Sequence, residues 1–206
     1  MGRVILGIDP GTVMMGFGVI KHVGKSVEFI EMNVLNLSKE RDAEKKLQRI
    51  FECTVALIEK HKPSHLAIEA PFFGKNVQSM LKLGRAQGVA IAAALSKDVP
   101  FSEYAPRKIK MAITGKGTAS KEQVAKMLFN IMKIDITMPK QLDATDGLAV
   151  AVCHALQNNI SVQNNATVET GRAPSLQKTA KTTKKSQPKK YSGWDTFVAQ
   201  NEKRVI

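Results

Sequence analysis

Residues 3–11 have the sequence Arg-Val-Ile-Leu-Gly-Ile-Asp-Pro-Gly, and this stretch decides the fold. A short apolar run that ends at a Pro-Gly turn signal is typical of a buried β-strand. The run ends in a carboxylate, Asp9. The stretch therefore predicts a strand in the core of a sheet, with Asp9 near the carboxyl-terminal edge of that sheet.

Strand and helix patterns alternate along the chain that follows. Strands over residues 17–23 and 26–37, joined by a short turn, predict an antiparallel meander with the first strand. The other predicted elements are strands 64–69 and 101–104 and helices from Ser38 to Pro63, 77–96, 120–132 and 142–156. Ser38 and the Ser-x-x-Gln capping box at Ser120 are predicted to begin two of these helices. The mixture predicts an α/β domain.

The composition favours a nucleic-acid partner. The 206 residues include 31 Lys and Arg and 18 Asp and Glu, which give a formal net charge of +13. A basic folded domain favours a polyanion, and nucleic acid is the commonest one. No apolar run approaches the roughly 20 residues of a membrane span, and Asp9 comes too early for a secretory signal. We therefore expect a soluble cytoplasmic protein with no membrane association.

The composition changes after residue 157. Asn, Gln, Thr, Ser, Pro and Lys dominate there, which is typical of disorder. From residue 161 onward, nine basic and three acidic residues give a net charge of +6. We predict a domain over residues 1–157 and a disordered basic C-terminal tail over residues 158–206. The aromatic end around Trp194 is either a short partner-binding motif or a hydrophobic terminus that packs on its own domain.

Four carboxylates stand at the ends of predicted elements. Asp9 and Glu69 each end a buried strand, whereas Asp143 and Asp146 open the last helix and share one face of it. If that helix packs on the strands, the four acids can converge. Grouped carboxylates repel one another and raise one another's pKa unless cations compensate. Oxygen ligands of this kind suit Mg²⁺ or Mn²⁺, and two such ions could activate water against a phosphodiester.

Each acid also has an ordinary structural interpretation. Asp9 before Pro-Gly suits a turn, and Asp143 at a helix start suits an N-cap or a partner of the helix dipole. The set of four, rather than any one member, therefore favours a metal site.

Four blocks of the sequence carry a family resemblance. They are Gly7-Ile8-Asp9-Pro10-Gly11-Thr12 with Gly16-Phe17-Gly18, then Ala67-Ile68-Glu69-Ala70-Pro71-Phe72-Phe73-Gly74-Lys75-Asn76, then Leu83-Gly84-Arg85-Ala86-Gln87-Gly88, and finally the run from Asp143-Ala144-Thr145-Asp146 to His154. In this order they resemble the RuvC-type Holliday junction resolvases, the crossover junction endodeoxyribonucleases. The resemblance covers about residues 3–157 and leaves the tail from about Asn158 outside it.

The resemblance implies an RNase H-like fold with a mixed five-stranded sheet flanked by helices. It also implies a homodimer that makes paired, metal-dependent nicks across a four-way DNA junction in recombination and repair. By matching position, the catalytic and metal-binding acids are Asp9, Glu69, Asp143 and Asp146. The implied cofactor is Mg²⁺, with two ions in each active site, and Mn²⁺ can substitute. A branch-migration complex of the RuvA and RuvB type is the implied protein partner.

Four further residues are candidates for DNA binding. Lys110 and Lys121 stand where the family carries basic residues near the active site, and Phe72 matches an aromatic placed against bases at the junction centre. Lys121 at a helix N-terminus is also well placed to meet a phosphate, although a solvated lysine is its ordinary interpretation, as it is for Lys110. Either Phe72 or its neighbour Phe73 could be a core residue. Lys75 follows and could hold a phosphate.

Small residues recur every fourth position on the helix predicted over residues 77–96. Gly84, Gly88 and Ala92 make a smooth ridge that another backbone can approach. Packing against the chain's own sheet is the ordinary interpretation of such a ridge. We interpret it as a dimer contact, because the family uses this region in that way.

Three other functions are compatible with parts of this sequence. Another RNase H-like nuclease, acting on RNA or RNA–DNA hybrids, would share the acids. An actin-like ATP-binding protein would share the pattern Asp9-x-Gly11-Thr12, but it needs a duplicated domain for which the chain is too short. A non-catalytic junction-binding protein would not need the complete acidic set.

Overall fold

The computed structural model describes residues 2–71, 76–134 and 142–165, with side chains up to residue 157. The five strands in these described ranges are β1 Arg3–Asp9, β2 Met14–Val23, β3 Ser26–Asn36, β4 His65–Glu69 and β5 Phe101–Tyr104. They form one sheet in the order β3-β2-β1-β4-β5. β1 is antiparallel to β2 and parallel to β4, so the sheet is mixed. The predicted meander is confirmed.

Within the described ranges, five helices cover the two faces of this sheet. They are α1 Ala43–His61, α2 Val77–Leu95, α3 Pro106–Thr114, α4 Lys121–Met132 and α5 Asp143–Asn165. Alternate side chains of a strand point to opposite faces. Leu6 and Ile8 of β1 therefore pack with α1 and α2, while Ile5 packs with α3, α4 and α5. β1 is buried on both faces, as its continuous apolar run predicts.

Two predicted helix boundaries are wrong, one helix has no counterpart among the predictions, and the cap predicted at Ser120 is confirmed. Ser38 does not cap α1, which begins after Asp42; the Ser38 hydroxyl instead donates to Asn36 Oδ1 at 2.6 Å. Helix α3 was not predicted, because a nine-residue helix with two buried apolar side chains gives a weak period. Helix α5 continues past residue 157 to Asn165, since no Gly or Pro interrupts it there. The capping box of Ser120 is present.

Several predictions fall on residues outside the described ranges. Phe72, Phe73 and Lys75 are among them, and so is the tail from residue 166. The boundary between a domain and a tail at residue 157 stays a prediction. Within the described ranges, no helix combines the length and the apolar character needed to cross a bilayer.

Candidate active site

Glycines on β1 and β2 let helix α5 lie directly on the sheet. A Cβ added to Gly7 would overlap the carbonyl oxygen of Gly147, and one added to Gly16 would overlap the carbonyl oxygen of Asp143. Gly16 is also the residue paired with Asp9 across the two strands. The first turn of α5 is therefore held against the end of β1, where Asp9 stands.

The two strand-end acids lie side by side. β1 and β4 are parallel, and Ile8 is in register with Ile68, so Asp9 and Glu69 leave the sheet at the same level. Both line one cavity of about 180 Å³, together with Asp146 of α5. The other lining residues are Lys110, Lys121, Pro106, Ile109, Val124 and Ala149. The structure thus brings three of the four predicted acids and both described lysines into one pocket.

Burial and mutual repulsion act on these acids. Burial and the charges of Asp146 and Asp143 raise the pKa of Asp9 to about 7, although Lys121 opposes the rise. Burial, Asp9 and Asp146 raise the pKa of Glu69 to about 8, against Lys121 and Lys110. The pKa of Asp146 is also raised, again chiefly by burial, against the lowering effect of its hydrogen bond from Lys121. In the absence of a cation, the pocket therefore disfavours the ionised forms of these acids.

Lys121 is the cation that approaches these acids most directly. It is the first residue of α4, positioned by the Ser120 capping box. Its ammonium group donates to Asp146 Oδ2 and lies 3.7 Å from Asp143 Oδ1. Burial tends to lower the pKa of Lys121, but these carboxylates raise it above its ordinary value. Asp143 does not line the cavity, and it joins the site through this ion pair.

The chemistry of the pocket fits a divalent cation, although its side chains are not yet arranged around one. In the described residues, no three His, Cys, Asp or Glu side chains are disposed to ligate a single ion, and Lys121 pairs with Asp143 and Asp146. Carboxylate oxygens are nevertheless the ligands that hard cations prefer. An ion with two charges would offset the repulsion that raises the pKa values of Asp9 and Glu69.

Sequence reasoning missed one residue that supports the site. Gln87 of α2 is buried, and its amide donates to the backbone oxygen of Glu69 at 3.3 Å and to Glu103 Oε1 at 2.5 Å. These bonds tie the end of β4 to β5 and α2. A Gln on the otherwise apolar buried face of α2 was the signal that could have revealed it.

Comparison with known proteins shows which family has this arrangement of residues. The family model described as crossover junction endodeoxyribonuclease RuvC matches residues 5–154. The chain belongs to the RuvC family. The predicted resemblance is confirmed, and the chain is a crossover junction endodeoxyribonuclease by this membership. Members of the RuvC family generally depend on a divalent metal.

Similarity to individual RuvC proteins extends over nearly the whole chain. The RuvC of Christiangramia forsetii is 56% identical over 203 residues, which are 98% of this chain and 93% of the relative. The RuvC of Bacteroides fragilis is 51% identical, with 98% of this chain and 96% of the relative covered. The likeness to these two proteins therefore includes the tail, contrary to the expectation that resemblance ends near Asn158.

The solved structures agree on the fold. The RuvC of Thermus thermophilus in complex with its Holliday junction substrate is 30% identical, with a TM-score of 0.70. The match covers 77% of this chain and 96% of the Thermus chain. The predicted RNase H-like fold is confirmed.

Proposed function

We propose that this chain resolves four-way DNA junctions by paired hydrolytic nicks in recombination and repair. The observation that carries the proposal is the single pocket in which Asp9, Glu69 and Asp146 meet Lys110 and Lys121. Carboxylates supply ligands for a cation, and lysines supply contacts for a phosphodiester. Family membership supports a junction over an RNA–DNA hybrid or a purely structural role.

Four acids would hold the cofactor, which we propose to be two Mg²⁺ ions, replaceable by Mn²⁺. Asp9, Glu69 and Asp146 face the pocket, and Asp143 lies one helical turn before Asp146. When bound, the ions supply an activated water and stabilise the charge of the leaving oxygen. The carboxylates of α5 would hold the ions at a fixed position, because the close contacts at the glycines fix α5 on the sheet.

The two lysines would act on the substrate. Lys110 and Lys121 come from α3 and α4 and line the pocket with Asp146, to which Lys121 donates a hydrogen bond. A phosphate that enters the pocket offers Lys121 a new anionic partner, so Lys121 can exchange its bond to Asp146 for one to the DNA. This exchange would leave the carboxylate to a cation. Phe72 and Lys75 remain proposed DNA contacts.

Paired nicks require two active sites, and we propose a homodimer formed through α2. A Cβ added to Gly84 or Gly88 meets nothing within 4 Å, so the ridge does not pack on the described part of its own domain. Two apolar side chains of the same helix, Val77 and Leu81, are 63% and 53% exposed. Sedimentation at assay concentration tests this, and a purely monomeric species would contradict it.

We further propose a cytoplasmic location and association with a branch-migration complex of the RuvA and RuvB type. The basic tail would strengthen either DNA binding or this association. Deletion of residues 158–206 separates the two, because salt-dependent loss of DNA affinity would follow only from the first.

The proposed function is tested on a synthetic four-way junction and a matched linear duplex, with Mg²⁺ or with EDTA. Metal-dependent paired nicks in the junction, lost in Asp146→Asn, are the expected result. Cleavage of an RNA–DNA hybrid but not of the junction would favour the other nuclease. Binding of the junction with no cleavage by the wild-type chain would favour a structural role.

A further inference from the structure

A second cavity, of about 300 Å³, lies between α1 and α2. We call it the basic groove and define it by four cationic residues, Arg41, Lys46, Lys82 and Arg85, together with Thr12 and Val13; the three other described residues that line it are apolar. Four of these nine described residues are cationic, and none is Asp or Glu. Long cationic side chains around an open groove are typical of a surface that binds a polyanion.

The groove begins at the same edge of the sheet as the carboxylate pocket. Thr12 and Val13 belong to the turn that follows Asp9, and Lys46 donates to the backbone oxygen of Thr12 at 2.8 Å. This bond ties the start of α1 to the turn. The two cavities therefore flank one turn, with the pocket on the α3–α5 face of the sheet and the groove on the α1–α2 face.

The charge of the groove is not cancelled by its surroundings. The two acids beside it in sequence, Glu40 and Asp42, pair with Arg49 and Lys45 rather than with groove residues. Among the described residues, Arg41, Lys82 and Arg85 make no ion pair with a carboxylate. These three positive charges thus face solvent without a described counter-charge.

We propose that the basic groove binds the sugar–phosphate backbone of one junction arm as that strand leaves the carboxylate pocket. The inference rests on the proposed function. A strand that crosses the sheet edge at Asp9 would meet Lys110 and Lys121 on one side and the groove cations on the other. Contacts of this kind position the nucleic acid and carry no base specificity. The groove would therefore hold the scissile phosphate in register at the pocket.

Binding is best measured without cleavage, with the full-length Asp146→Asn chain as the parent. A fluorescently labelled four-way junction is titrated at several salt concentrations. The groove variant adds Arg41→Gln, Lys82→Gln and Arg85→Gln to the parent. Each lost phosphate contact removes about 0.9 from the slope of log affinity against log salt. We expect the slope to fall by about two to three and affinity at moderate salt to fall at least tenfold.

The control variant carries the same loss of charge elsewhere. Lys21, Lys60 and Lys97 already pair with Glu28, Glu31 and Glu59. We expect their joint replacement by Gln in the parent to leave the slope within about one unit. Because Lys82 and Arg85 both lie on α2 near the proposed dimer ridge, a second groove variant retains them and carries only Arg41→Gln and Lys46→Gln. Its slope should fall by about two.

The outcomes separate the groove from the proposed function. A parent that binds the junction, together with groove variants that match the control, would overturn the groove proposal and leave the proposed function standing. A loss confined to the variant with Arg85→Gln would also overturn it, in favour of a dimer effect. A parent that does not bind the junction would overturn both. Circular dichroism and thermal melting establish that each variant is folded.

Discussion

The two ends of the contact between α5 and the sheet show what burial does to opposite charges. At the first turn, burial raises the pKa of Asp146 and of its neighbours Asp9 and Glu69. About 12 Å further along the helix, burial and the nearby His65, Arg3 and His22 lower the pKa of His154 to about 4. Both changes disfavour the charged form.

The two ends differ in how their polar groups are satisfied. His154 Nδ1 lies 2.8 Å from the hydroxyl of Tyr104, and the His154 ring stacks on His65 at a centroid distance of 4.1 Å. The His154 ring is therefore satisfied as a neutral side chain, although Arg3 lines a cavity of about 320 Å³ beside it. The carboxylate end also opens to a cavity, but it groups three acids there and pairs Asp146 with Lys121. Burial alone therefore does not mark a reaction site, because both ends are buried and the grouped carboxylates are what a cation would offset.

The largest expected effect is the loss of cleavage when a carboxylate of the pocket is removed. Asp9→Asn should lower the junction cleavage rate by about a thousandfold or more, since cation-assisted charge stabilisation is worth several kcal/mol. The same change should not lower the melting temperature, because it removes a carboxylate that burial disfavours. Cleavage kinetics and thermal melting measure the two effects. Retained cleavage would remove Asp9 from the proposed active site.

The second effect concerns how closely α5 approaches the sheet. Gly7→Ala places a Cβ against the backbone of Gly147, so α5 must shift. We expect the free energy of unfolding to fall by about 1–3 kcal/mol, as overpacking does, and cleavage to fall with it. The control is Lys126→Ala on α4, because Lys126 is exposed and the change alters no buried packing. Urea unfolding should find it within about 0.5 kcal/mol of the wild type. Equal effects of both changes would refute the argument.

The third effect is a pH dependence of stability at the histidine end. The folded pKa of His154 lies below its ordinary value of 6.5, so the unfolded state takes up a proton first as pH falls. The stabilisation is complete above pH 6.5 and is lost as pH falls towards about 4. We expect His154 to account for about 3 kcal/mol of the free energy of unfolding that is lost on acidification.

Urea unfolding of the wild type and His154→Gln at pH 7.5 and 4.5 tests this. The difference between the two proteins should narrow at the lower pH. A difference that is the same at both pH values would show that His154 does not titrate in this range.

The smallest effect is ligand stabilisation at the carboxylate end. At ten times its dissociation constant, Mg²⁺ should raise the free energy of unfolding by about 1.4 kcal/mol. The gain should be greater at pH 8 than at pH 6, because Asp9 and Glu69 must lose their protons to bind the ion. Differential scanning fluorimetry with Mg²⁺ and with EDTA measures it. A gain of equal size in Asp9→Asn would place the ion elsewhere.

Much of the fold and the placing of the acids followed from local sequence. Apolar runs indicate the strands, and the continuous apolar run of β1 predicts its burial on both faces. Asp9 and Glu69 end parallel neighbouring strands, so their convergence was predictable from where each run stops. The helical spacing of Asp143 and Asp146 put them on one face. The catalytic roles of these residues stay predictions.

Other features needed the tertiary structure, because they depend on contacts between distant parts of the chain. The depth at which α5 sits depends on Gly7 meeting Gly147, and the pairing of Lys121 with Asp146 depends on α4 packing beside α5. Asp42 rather than Ser38 precedes α1, because the Ser38 hydroxyl donates its hydrogen bond to the side chain of Asn36. The residue types at the end of each element could be predicted from the sequence, since periodicity and turn chemistry are local. Which charges face one another, and how deeply they are buried, depends on the tertiary structure, since long-range packing sets both.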